Sequence, residues 1–155
     1  MADAIVTTLL NTGLRVDELV SLTWSDLVLQ PRSGKAFIKR GKGDKARIVP
    51  LNATVREAFS AIRPVVAEGP VFRGKRGPYT DRGIRNLLAV LGRRADVAHV
   101  HPHRFRHDPA RRLVETVDLP TVAALLGHSR LDTIRIYAQP DESALERAVV
   151  ALESR

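Results

Sequence analysis

The side chains in this 155-residue chain that could do chemistry are arginines, histidines, two tyrosines and a few lysines, with no cysteine. Of the 25 lysines and arginines, 20 are arginine, whose planar fork matches phosphate oxygens in pairs. Residues 30–47 carry net +6 and residues 73–112 net +8, against −6 for the remainder and +8 overall. Two basic bands on an otherwise acidic body read as a footprint for a phosphate backbone. The candidate DNA contacts are Lys39, Arg40, Lys45 and Arg47 in the first band, and Arg73, Lys75, Arg76, Arg82, Arg85 and Arg104 in the second. Only 5% of residues are aromatic, which counts against a base-stacking platform for single strands and favours duplex DNA held by its backbone. Attack on a phosphodiester builds negative charge on equatorial oxygens, and preorganised guanidinium groups stabilise that charge most in the transition state. Tyr79 and Tyr137 are the possible nucleophiles. With a pKa near ~10, on the order of one in 10³ is ionised at neutral pH, so either needs a base or a strongly cationic pocket. His99, His101, His103, His107 and His128 can accept such a proton or hydrogen-bond a phosphate. The histidine run would also suit a metal, but no dense carboxylate or thiolate set accompanies it in the basic bands. Lys42 and Lys45 share a glycine-rich turn, and a lysine there is mobile enough to give a proton to a departing alkoxide, though a solvated role is the default for either.

These groups need elements to hold them. Residues 4–11 are apolar enough for a helix that Gly13 stops, and Val16, Leu19, Val20 and Leu22 give a second helical face. Leu27–Leu29, Ala36–Lys39 and Arg47–Val49 are short and β-prone, separated by turn-forming stretches, and predict a three-stranded antiparallel meander. Thr54 to Glu57 reads as a capping box opening a helix that Pro64 ends. Thr80 caps the next, whose Ile84, Leu87, Leu88 and Leu91 share one face up to Gly92. Further helices are predicted from near Asp108 to Val117, from Leu119 to Leu126 with Gly127 as the stop, from Ser129 to Tyr137, and over about 141–152. The expected fold is mainly α with one small three-stranded antiparallel sheet, an α+β domain.

Four segments, TGLRVDELVSLTW at 12–24, RGKGDKARIVPL at 40–51, HPHRFRH at 101–107 and LLGHSRLDTIRIYAQ at 125–139, together resemble the catalytic domain of the tyrosine recombinases, the phage integrases and Xer-type enzymes. The resemblance covers about residues 5–150 in the family's order, with Tyr137 nine positions after His128. It implies that Arg15 and Arg106 clamp the scissile phosphate, that Lys42 protonates the leaving 5′ oxygen, and that His103 and His128 are the two site histidines. It also implies Tyr137 as nucleophile, with Glu18 supporting the site without attacking anything. The implied reaction is strand cleavage through a covalent 3′-phosphotyrosine and religation, with no metal and no nucleotide cofactor. The competing reading is a catalytically silent DNA-binding module that kept the fold.

Asp108-Pro109 departs from the family's usual small or hydroxylated residue followed by an aromatic. Because proline favours the first helical position and Asp is a good N-cap, the sequence predicts a helix starting at Pro109, with His103 and Arg106 on its entry segment. It also predicts that Asp108 competes with phosphate for Arg106. The whole chain, 1–155, is expected to be the catalytic domain alone, without the N-terminal core-binding domain that completes the family's clamp on DNA. The resemblance also implies that the tail helix, about 141–152, docks on a neighbouring protomer, so that the protein homo-oligomerises on DNA; packing on its own core is the alternative. No apolar run approaches the roughly 18 to 20 residues of a membrane span, and the start carries Asp3 without a basic segment, unlike a signal peptide. The expected setting is therefore cytoplasmic, on the nucleoid.

Overall fold

The computed structural model describes residues 1–39, 46–98 and 100–127, with residue 103 described by its backbone. The chain opens with helix α1, Ala2–Thr12, ended by Gly13 in the left-handed conformation (φ 63°). Ala4, Ile5, Thr8, Leu9 and Thr12 form its buried stripe. The two threonines are tolerated there because Thr8 donates to the Ala4 carbonyl and Thr12 to the Thr8 carbonyl, each at 2.6 Å. Helix α2, Val16–Ser21, and a 3-10 turn, Trp24–Asp26, lead into the sheet.

Strands β1 (Leu27–Leu29), β2 (Gly34–Ile38) and β3 (Arg47–Pro50) form the antiparallel meander that the alternation predicts, in the order β1-β2-β3. The register pairs Ala36 with both Leu27 and Val49 and brings Ile38 opposite Arg47. Ala36, Ile38 and Val49 face the core, whereas Phe37 and Ile48 (54% exposed) face solvent. Helix α3, Ala53–Ile62, starts earlier than the Thr54 capping box predicts. Asn52 is the N-cap, accepting from the Val55 N–H at 3.0 Å while its amide donates to Asn11 on α1. Both residues are good cap types. The cap is set by where the buried Leu51 brings the chain off β3.

A hairpin of two-residue strands, β4 (Arg73–Gly74) and β5 (Gly77–Pro78), follows and has no counterpart in the sequence reading. Helix α4, Asp81–Arg94, carries the expected Thr80 cap, whose hydroxyl accepts from the Gly83 N–H at 3.1 Å. Trp24 meets Phe59 edge-on and Phe59 lies tilted against Phe72, with ring centroids 6.4 and 6.0 Å apart, in a core that includes Ile5, Leu9, Leu19, Val55, Ile84 and Leu88.

Helix α5, Pro102–Val114, corrects the sequence reading: it begins at Pro102, not Pro109, and carries Pro109 inside it. Pro102 supplies the preset φ of a first helical residue after an extended His101. Pro109 removes only the bond that would run to the Phe105 carbonyl. Arg106, Pro109 and Ala110, with the partly buried Phe105 and Leu113, lie on the face turned inward, and burial of that face as a whole keeps the helix continuous across the missing bond. Helix α6, Leu119–Leu126, is capped by Asp118, which accepts from the Thr121 N–H at 2.9 Å, and stops at Gly127 (φ 69°) as expected. Ala110, Val122, Ala123 and Leu126 make a smaller core between α5 and α6. Among the described residues no helix is long and apolar enough to cross a membrane. The helices predicted over Ser129–Tyr137 and 141–152 lie outside the described residues.

Candidate functional site

The turn at Gly13 sends the chain back through the buried Leu14 and delivers Arg15 to the N-cap of α2 in an extended conformation. Glu18, three residues on, reaches back so that Oε2 accepts the Arg15 N–H at 2.8 Å. Its carboxylate is also gripped from the sheet. Arg47 Nη1 donates to Oε1 at 2.5 Å and Nη2 to Oε2 at 2.9 Å, while Nε donates to the Leu125 carbonyl at 2.9 Å. Both side chains are buried, at 8% and 3% exposure. Arg15 Nη1 stands 3.8 Å from Oε1 of the same carboxylate, with its side chain a third exposed.

Arg106 projects inward from α5. Its Nη1 donates to the Gly13 carbonyl at 2.9 Å and its Nη2 to the Leu126 carbonyl. These are the ends of α1 and α6, where carbonyls lack helical partners and the helix dipole favours a cation. Arg106 and Arg15 line one small cleft with Leu14, Val16, Asp17, Arg85 and Pro102. Burial alone pushes the Glu18 carboxyl up. The hydrogen bonds from Arg47 and the Arg15 backbone, with the charges of Arg47 and Arg106, more than reverse this and hold it below the ordinary carboxylate range. Around this carboxylate stand the guanidinium groups of Arg15, Arg47 and Arg106, leaving an excess of positive charge beside the cleft. Such an arrangement suits a tetrahedral oxyanion.

Of the sequence-predicted site residues, Arg15, Glu18 and Arg106 are thus brought together. His103 sits in the first turn of α5, one helical turn before Arg106. Lys42, His128 and Tyr137 lie outside the described residues, as do Arg40 and Lys45. Asp108 is exposed and lines a separate groove with Leu10, Asn11, Arg111, Arg112 and Glu115. Residues two apart on a helix do not face each other, so the expected competition between Asp108 and phosphate for Arg106 is not met.

The candidate DNA contacts divide. Arg73, Lys75 and Arg76 are exposed on the β4–β5 hairpin, and Arg82 and Arg104 are exposed on α4 and α5. Arg85 pairs with Asp81. Lys39, 71% exposed, reaches the buried Asp26 at 2.8 Å. Asp26 is pushed up by burial, yet the bonds from Lys39 and Thr23 hold it below its usual value. Arg47 is committed to Glu18 and Leu125. Its place was available from strand alternation, since it shares a face with Val49. The adjacent Ile48 made the opposite face equally plausible.

Both the sequence and the fold have relatives among known proteins. The sequence profile of the Phage integrase family matches residues 2–144. The tyrosine recombinase XerC of Bacillus pumilus (strain SAFR-032) is 37% identical over 166 residues, covering 98% of this chain and 53% of that protein. Among solved structures, the XerA recombinase superposes with a TM-score of 0.78 at 28% identity, over 98% of this chain and 56% of that one. The XerH site-specific recombinase, solved bound to palindromic difH substrate as a post-cleavage complex, gives 0.77 at 27% identity, over 99% of this chain and 46% of that one. This chain spans about half the length of the relatives it matches. With the profile running from α1 through the arginine cleft and beyond α6, the chain belongs to the phage integrase family, the tyrosine recombinases.

Proposed function

We propose that residues 1–155 form the catalytic domain of a site-specific recombinase that cuts and rejoins duplex DNA through a covalent 3′-phosphotyrosine. The observation carrying this reading is the convergence of Arg15 and Arg106, from opposite ends of the described chain, on one cleft backed by Glu18. In the proposed reaction the Tyr137 hydroxyl oxygen attacks the scissile phosphorus while its proton passes to His103 or His128. The bond from phosphorus to the 5′ oxygen breaks, and that oxygen takes a proton from Lys42. The phosphate stays on Tyr137 until the 5′-hydroxyl of another strand reverses the steps. One phosphoester replaces another at each stage, so no nucleotide cofactor is called for. Arg15 and Arg106 bind the nonbridging oxygens, where charge grows in the transition state.

Duplex DNA is the proposed partner, held by the exposed arginines of the second band. Homo-oligomerisation on DNA is proposed from the amphipathic helix that the sequence predicts over 141–152 and from the palindromic substrate of the XerH relative, since a two-fold DNA site suits two copies of a protein. The proposed setting is the cytoplasm, on the nucleoid. The test is incubation with a nicked suicide half-site of the cognate DNA. A covalent adduct absent in Tyr137→Phe and unaffected by EDTA supports the enzyme. Binding with no adduct overturns it in favour of a silent DNA-binding module.

A further inference from the structure

We propose that Arg47 is a positioning residue of the strand-cleaving site, an inference that rests on the reading above. It acts as a bracket that fixes the start of α2, the start of β3 and the end of α6 relative to one another. Among the described residues each of its three hydrogen bonds goes to an internal acceptor, two to Glu18 and one to the Leu125 carbonyl. Nε, Nη1 and Nη2 all donate inward, so the fork, unlike that of the cleft-lining Arg106, is not available to a phosphate backbone.

What it holds is specific. Glu18 in turn accepts the Arg15 N–H, so the bracket sets the backbone from which Arg15 enters the cleft. Leu125 lies in the last turn of α6, beside the Leu126 carbonyl that Arg106 grips and three positions before His128. Arg47 itself opens β3 opposite Ile38, the last described pair of the β2–β3 hairpin, five positions after Lys42. The close packing extends to Gly127, where an added Cβ would lie 2.6 Å from Arg47 Nη1. A buried ion pair is a weak source of stability, because desolvation offsets the attraction. A planar fork with three fixed bonds instead supplies direction. A displacement near 1 Å at a reacting group can cost about 10²-fold in rate, so direction matters here more than net stability.

The test compares the full chain with Arg47→Met, Arg47→Lys and the apolar pair Glu18→Leu/Arg47→Met. Three measurements are made on each: duplex affinity across a salt series, the rate of covalent adduct formation at saturating half-site DNA, and thermal melting. The expected result is affinity within about threefold of the parent, with an unchanged salt slope. Adduct formation at saturation should be slower by roughly 10²-fold in Arg47→Met and in the apolar pair. Arg47→Lys should fall between, because one ammonium cannot make the fork. The apolar pair separates positioning from folding, since such replacements generally keep a protein folded. A folded apolar pair cleaving at the parental rate overturns the proposal. So does a variant that loses affinity and about 0.9 of salt slope while keeping its rate, and so does failure of all three variants to fold. If the parent forms no adduct, the recombinase reading fails instead, and the salt slopes still decide whether Arg47 is a phosphate contact.

Discussion

Replacing Gly127 by alanine adds one methyl group at a place where two costs can be separated. The residue has φ +69°, and its new Cβ would lie 2.6, 2.9 and 3.1 Å from Nη1, Cζ and Nε of Arg47. The left-handed conformation alone costs about 1–2 kcal/mol for a residue with a Cβ. The contact adds to this, because carbon does not approach closer than about 3.5 Å without repulsion, so the guanidinium must move by several tenths of an ångström. It is held by bonds of 2.5, 2.9 and 2.9 Å, and separating a buried pair outright costs about 3–5 kcal/mol. Partial displacement therefore puts the total for Gly127→Ala at about 3–5 kcal/mol. Gly69 is the reference, with the same φ of +69° but no atom closer than 3.9 Å to an added Cβ. Gly69→Ala should cost the conformational part only, about 1–2 kcal/mol. At about 2–4 °C per kcal/mol for a chain of this size, the difference of about 2–3 kcal/mol should make Gly127→Ala melt some 4–12 °C below Gly69→Ala. In an Arg47→Met background the excess should vanish, which a double-mutant cycle reads directly. Equal costs for the two glycine replacements would refute the claim that Arg47 is tightly held.

Glu18→Gln leaves Arg47 buried without its counter-charge and should lower stability by about 3–5 kcal/mol at pH 7. Because Glu18 is held below its ordinary range, the stabilisation is complete above about pH 4.3 and is lost as pH falls through the depressed value. The gap between parent and variant melting temperatures should therefore close in acid, and a gap that persists to pH 2 would sink the reasoning. Pro109→Ala restores the backbone donor inside α5 and should raise stability by about 1–3 kcal/mol; a lower melting temperature would mean that the packing of the buried proline ring outweighs the bond. Alanine at all of Arg73, Lys75 and Arg76 should reduce the salt slope of duplex binding by about 2–3, and an unchanged slope would remove the β4–β5 hairpin from the DNA interface.

The parts of this molecule legible in its sequence are those that rest on repeating patterns. The α1 stop at Gly13, the β1-β2-β3 meander, the Thr80 cap and the α6 stop at Gly127 each follow from a short-range rule that nothing distant overrides. The misreadings share a cause. Pro109 obeys a local rule for helix starts, but Pro102 obeys it too, and burial of Arg106, Pro109 and Ala110 decides between them. Asn52 and Thr54 are both cap residues, and the turn after Leu51 decides. Arg47 and Ile48 compete for the inward face of β3, and a carboxylate 29 positions away settles it in favour of the charge. In the candidate site, the motifs single out Arg15, Glu18 and Arg106, and the fold brings these three together. The bracket was not, because its acceptors include a backbone carbonyl, which carries no sequence signal.

Charge counting treats every arginine in a band as a potential phosphate contact, and the structure divides them by what their donors meet. Arg47 and Arg106 spend their forks on Glu18 and on the carbonyl ends of α1 and α6, so they carry little of the long-range attraction that screens with salt. Arg73, Lys75, Arg76, Arg82 and Arg104 are exposed and, on the proposed reading, are the ones that should supply it. Interior guanidinium groups lose little mobility when a phosphate arrives, because packing has already fixed them, and that preorganisation is what lowers a barrier. Exterior ones are mobile and screened, and they contribute to affinity through released counterions. The two functions should therefore come apart under mutation: interior arginines change the rate at saturating DNA, exterior arginines change how much salt the complex tolerates, and Arg15, a third exposed at the cleft, should change both.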